Sequence, residues 1–124
     1  MIDPDRLARD LLHAADNATL LPLPSDADAS FDLTQAFAVA DRVRALRLAR
    51  GDVPLGYKIG FTNRSIWERY GVHQPIWGPV WDGTTVLLGG ASATVSLGAL
   101  SQPRLEPEIV FGLKAAPRAG MDNA

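Results

Sequence analysis

The 124-residue chain contains no cysteine, which excludes disulfides, thiolate zinc sites and cysteine nucleophiles and accords with a reducing, cytoplasmic setting. Histidine is scarce as well. His13 and His73 are the only imidazoles, too few for a three-histidine metal site. No apolar run approaches the ~18 residues of a membrane span, so no membrane partner is expected. The opening Met1-Ile2-Asp3-Pro4-Asp5 lacks the basic and apolar segments of a secretory signal. A charge excess is also missing. With a net charge of -2 and no five-residue basic run, nucleic acid is not an expected partner. The sequence holds no GxGxxG, P-loop or HExxH motif and no internal repeat. Lysine is rare among the cations, so Lys58 and Lys114 stand out for inspection.

What is present suits one globular domain: 47% of the residues are hydrophobic. Asp3 before Pro4 predicts a capped helix start, and Leu7, Leu11, Leu12 and Ala15 keep helical spacing through about Ala18. His13 lies off that stripe and reads as a surface residue. Leu20 to Ser30, with Pro22, Pro24 and several aspartates, reads as a loop. Asp32 and Gln35 predict a capping box, with Phe31 as a staple. The helix they open carries Ala36, Val39, Ala40, Val43 and Leu46 inward, and Gly51 stops it. Arg42, Arg44, Arg47 and Arg50 decorate its other side as a solvated face or a subunit contact.

Two stretches carry chemistry. Gly56-Tyr57-Lys58-Ile59-Gly60-Phe61 reads as a strand with Tyr57, Ile59 and Phe61 on one face. Lys58 shares the other face with Gly56 and Gly60, which leave room for its ammonium to reach a ligand carboxylate or enolate. A surface lysine on a half-buried strand is the plainer account of the same residues. In Leu105-Glu106-Pro107-Glu108-Ile109-Val110-Phe111, also read as a strand, Glu106 and Glu108 leave the same face. They sit roughly 6.6 Å apart at ~3.3 Å per residue. Two adjacent anions call for a positive partner, and Mg²⁺ is typically held by one or two carboxylates plus waters and substrate oxygens. The alternative is a solvated strand edge, which Pro107 also suits.

Between these stretches, Thr62 or Asn63 caps a short helix bearing Ile66, Trp67 and Tyr70, ended by Gly71. Val72 to Asp82 reads as an aromatic loop whose Trp77 and Trp81 either wall a substrate pocket or pack beneath it. Val86 to Leu88 and Ala93 to Leu97 read as short strands. The element order is that of an α+β fold. Residues 1–113 form the domain, and 114–124 read as a linker or cut-off tail, with Asp122 or Asn123 placed to cap a further helix.

Several of these stretches, in this order, resemble the 2-keto-4-pentenoate hydratase family of the fumarylacetoacetate hydrolase superfamily. They are Gly56 to Thr62, Gly71-Val72-His73-Gln74-Pro75, Gly78 to Asp82 and Gln102-Pro103-Arg104-Leu105-Glu106-Pro107-Glu108-Ile109. The resemblance covers essentially the whole chain but only the front part of the family's length. It implies N-terminal helices with part of a mixed β-roll, and a homo-oligomeric Mg²⁺ or Mn²⁺ enzyme of aromatic-compound breakdown. Such an enzyme hydrates 2-hydroxypenta-2,4-dienoate, a small 2-oxo acid in its keto form, to 4-hydroxy-2-oxopentanoate. Glu106 and Glu108 match two of the family's metal ligands and Lys58 its active-site lysine; the third acidic ligand has no counterpart here.

One departure matters. Ile76 stands where many relatives carry an acid after Gln-Pro, and with Trp77 and Trp81 it makes the expected pocket more apolar. Decarboxylation of 4-oxalocrotonate-type acids and hydrolysis of acylpyruvates are therefore alternatives. Hydrolysis would want a water-activating His-Glu pair, for which His73 is the one candidate imidazole and its context is weak. An alternative of another class is a truncated, non-catalytic binding or oligomerisation module.

Overall fold

The computed structural model describes residues 2–121, so Asp122 and Asn123 lie outside the described residues. Helix α1, Pro4–Asp16, begins where Asp3 accepts hydrogen bonds from the amides of Asp5 and Arg6, with proline in the first turn. A four-residue helix α2, Pro24–Ala27, interrupts the expected loop. Proline serves there as a helix starter, since its fixed φ suits the first position. Helix α3, Leu33–Ala49, opens on the capping box: Asp32 takes the Gln35 amide and Gln35 takes the Asp32 amide. It closes at Gly51, whose φ of 97° favours a residue without a Cβ.

The α3 arginines are chiefly inter-element ties rather than a purely solvated face. Arg42 pairs with Asp5 and Arg50 with Asp16, which sets α1 and α3 side by side in the same direction. Arg47 and Arg50 both bind Asp52, just before the sheet. Burial acts to raise the Asp52 carboxyl, but the two guanidinium groups outweigh it and hold the group below its ordinary 3.8. Hydrogen bonds to Asp16 and Asp52 in turn push Arg50 above its ordinary value. Arg44 is the exception, its Nε buried without a hydrogen-bond partner among the described residues.

The sheet has two antiparallel strands, β1 at Pro54–Gly60 and β2 at Ile76–Trp81. The stretch expected to be an aromatic loop is thus half strand. Its ladder pairs Gly56 with Val80, Lys58 with Gly78 and Gly60 with Ile76, with a bulge near Leu55. Asp82 locks the open end, accepting from the Val53 amide through its carboxylate and donating its own amide to the Val53 carbonyl. Asn63 caps a 3₁₀ turn at Arg64–Ile66 that leads into α4, Trp67–Tyr70, closed by the left-handed Gly71. Phe61 does not continue the face of Tyr57 and Ile59. It lies past the end of β1 with φ of 57°, its carbonyl held by the Trp67 indole at 2.8 Å and its ring on Tyr70.

The core lies where the helices meet one face of the sheet. Ala8, Ala14, Val39 and Trp81 are buried there, the two alanines letting α1 and α3 approach closely. Residues 86–121 form no helix or strand, so the strands expected at Val86–Leu88, Ala93–Leu97 and 105–111 are absent. A strand is stabilised by a neighbouring ladder, and among the described residues none runs beside this stretch.

Candidate active site

The pairing register sorts the sheet residues into two faces, because cross-strand partners share a side. Tyr57, Ile59, Trp77 and Pro79 belong to one, with Trp81 continuing their alternation. That side meets the helices: Trp77 lies 5.9 Å from Phe37 of α3, and the Arg47 guanidinium sits 4.6 Å over the Trp81 ring. Lys58 belongs to the other face with Gly56, Gly60 and, directly across the ladder, Gly78. A Cβ placed at Gly56 or Gly78 would meet nothing within 4 Å, so the space around Lys58 is open. The loop reading of Val72 to Asp82 hides Gly78 as a neighbour of Lys58; the signal for it is the pairing of Ile76–Trp81 with β1.

Glu106 and Glu108 come to that open face. The Lys58 ammonium donates to Glu108 Oε1 at 2.6 Å and lies 3.3 Å from Glu106 Oε2. The i, i+2 spacing presents both carboxylates to one cation even though the backbone there joins no sheet. All three side chains are about half exposed. The Glu108 hydrogen bond, helped by Glu106 and opposed by desolvation, raises the Lys58 pKa above its ordinary 10.5. Lys58 therefore stays an ammonium at neutral pH.

Lys58, Glu106 and Glu108 thus converge, whereas Trp77 and Trp81 do not join them. Strand alternation sends the two indoles to the helix side, where they line separate hollows. Trp77 and Phe37 line one of about 260 Å³, and Trp81, Val39 and Arg44 line one of about 300 Å³. His73 is exposed and makes no hydrogen bond or ion pair with either glutamate among the described residues. The surface reading of His13 agrees with its exposed place on α1, its ring beside Asn17 at 2.9 Å.

Two carboxylate oxygens converging on one ammonium mark a point that accepts positive charge. Oxygen donors of this type suit a hard divalent cation, for which two carboxylates are a partial set completed by water and substrate. Among the described residues, no group of three or more His, Cys, Asp or Glu side chains gathers to hold a metal. No helix there is long and apolar enough to cross a membrane.

No family model matches the chain. It is 38% identical over 98 residues to a 2-hydroxypent-2,4-dienoate hydratase of Pseudomonas putida, covering 77% of this chain and 42% of that protein. To a 2-hydroxyhexa-2,4-dienoate hydratase of Comamonas testosteroni it is 34% identical over 96 residues, covering 77% of this chain and 36% of the relative. The fold matches 4-oxalocrotonate decarboxylase from Pseudomonas putida G7 complexed with magnesium and adipate. That match has a TM-score of 0.61 and 25% identity, over 64% of this chain and 30% of the other. The same enzyme with calcium and acetate gives 0.62 over 64% and 31%. The chain spans about two fifths of the length of the hydratases it matches. Its architecture is α+β, helices beside a small antiparallel sheet, in the manner of the fumarylacetoacetate hydrolase fold. Sequence and fold together align this chain with the front part of the 2-keto-4-pentenoate hydratase family.

Proposed function

We propose that this chain carries part of the active site of a divalent-metal hydratase acting on 2-hydroxypenta-2,4-dienoate or a close analogue. The observation that carries the proposal is the meeting of Lys58, Glu106 and Glu108 on the helix-free face of the sheet. The relatives' names supply the substrate class. Glu106 and Glu108 would hold Mg²⁺ or Mn²⁺. Bound there, the ion supplies Lewis-acid polarisation and a template for a 2-oxo acid.

Lys58 acts through its charge. An ammonium has N–H groups to donate and no lone pair to accept a proton, so at neutral pH it serves as a hydrogen-bond donor rather than a base. The ammonium donates to the substrate's 2-oxygen and offsets the negative charge left there when the enol proton leaves, until protonation at C5 gives the neutral unsaturated ketone. The same contact steadies the enolate formed when water adds its oxygen to C4, before C3 takes up a proton. Gly56, Gly60 and Gly78 keep the approach to that ammonium clear. Trp77 and Trp81 are left with packing, the other use the sequence offers. A cytoplasmic homo-oligomer belongs to the same proposal.

A calorimetric Mn²⁺ titration tests the metal site. Binding is expected in this chain and is expected to vanish in Glu106→Gln and Glu108→Gln; retention in both would overturn the assignment. Turnover, followed as loss of the dienol's ultraviolet absorbance, is expected to disappear in Lys58→Met while metal binding remains. A second reading is decarboxylation of a 4-oxalocrotonate-type acid. It is favoured by the two matched structures and by 32% identity over 106 residues to a 4-oxalocrotonate decarboxylase of a Pseudomonas species. Both reactions pass through the dienolate of 2-hydroxypenta-2,4-dienoate, so release of CO₂ from 4-oxalocrotonate separates them.

A further inference from the structure

We propose that Lys58 is a built-in counter-ion that competes with the divalent cation for Glu106 and Glu108, so that metal loading and release of the lysine are one event. The inference rests on the metal reading above and adds to it a linkage between the two cations. At 2.6 Å from Glu108 Oε1 and 3.3 Å from Glu106 Oε2, the ammonium fills the point where both carboxylates converge. A divalent ion bound by the same oxygens would lie within a few ångströms of a like charge, so both cations cannot keep that position. The lysine has somewhere to go. It is 48% exposed, and its neighbours Gly56 and Gly78 present no side chain to block a swing of its four-carbon stem.

The exchange also changes what holds residues 86–121 to the fold. Among the described residues, every hydrogen bond and ion pair joining that stretch to the rest of the chain runs through the Lys58 ammonium. In the metal-free state the ammonium offsets the repulsion between the two carboxylates and ties their stretch to β1. In the loaded state the released ammonium is free to face a substrate oxygen.

The test is a Mn²⁺ titration by calorimetry on the unsubstituted chain, Lys58→Met, Lys58→Arg and Glu108→Gln, with thermal unfolding of each as a check on folding. Lys58→Met is expected to bind Mn²⁺ about two- to fivefold tighter, the factor that corresponds to losing an exposed ion pair. Lys58→Arg is expected to bind no tighter than the unsubstituted chain, because the competing charge is kept. Equal or weaker binding by Lys58→Met would overturn the proposal and make the lysine an organiser of the carboxylates. Absence of binding in every version would overturn the metal reading and this linkage with it, a result distinguishable from the previous one.

Discussion

Ile76–Trp81 and residues 105–111 are similar stretches with opposite fates. Each is short and apolar and carries one proline, Pro79 or Pro107. The first pairs with β1 along its length and lays its face on α3, leaving Trp81 only 4% exposed. Among the described residues the second has no ladder and its polar contacts to the rest of the chain all run to Lys58; Leu105, Val110 and Phe111 are 92%, 89% and 80% exposed. The difference teaches that apolar composition becomes structure only where a partner surface exists to receive it. On the packed side of the molecule, burial does the holding. On the site side, charge does.

That contrast is sharpest for its two large aromatics. Trp81→Ala is expected to cost about 3–5 kcal/mol in denaturant unfolding, because it empties the helix–sheet interface and removes the ring under Arg47. A cost below about 1 kcal/mol would show that the interface is not the core. Asp32→Ala, which breaks the capping box of α3, is expected to cost about 1 kcal/mol by the same measurement.

pH separates the two regions in opposite directions. Asp52 is held below 3.8, so the stability it lends the α3–β1 junction is whole above that value and is lost as pH falls through its lowered folded value. Lys58 is held above 10.5, so its contribution is whole below that value and is lost as pH rises through its raised folded value. Limited proteolysis is expected to find residues 105–111 freed first by alkali, and the α3–β1 junction loosened first by acid. Cleavage in the same order at both extremes would erase the distinction. The smallest effect belongs to Phe111→Ala, expected to change unfolding stability by less than about 0.5 kcal/mol since the ring is 80% exposed. A loss comparable to that of Trp81→Ala would mean that the site side is packed as well.

By itself the sequence determined what depends on near neighbours. The caps at Asp3, Asp32 and Asn63 act over two or three residues, and the helix stops at Gly51 and Gly71 act over one turn, so α1, α3 and α4 were legible. Glu106 and Glu108 both face Lys58, although the strand expected to turn them to one side is absent. Tertiary structure alone decided what depends on a distant partner. That Ile76–Trp81 is a strand follows from β1, some twenty residues earlier in the chain, and the same ladder turns Trp77 and Trp81 away from Lys58. The fates of Arg42 and Arg50 depended on Asp5 and Asp16 of another helix. Residues 105–111 have the composition of a strand, but a strand's hydrogen bonds belong to two segments, and composition describes only one.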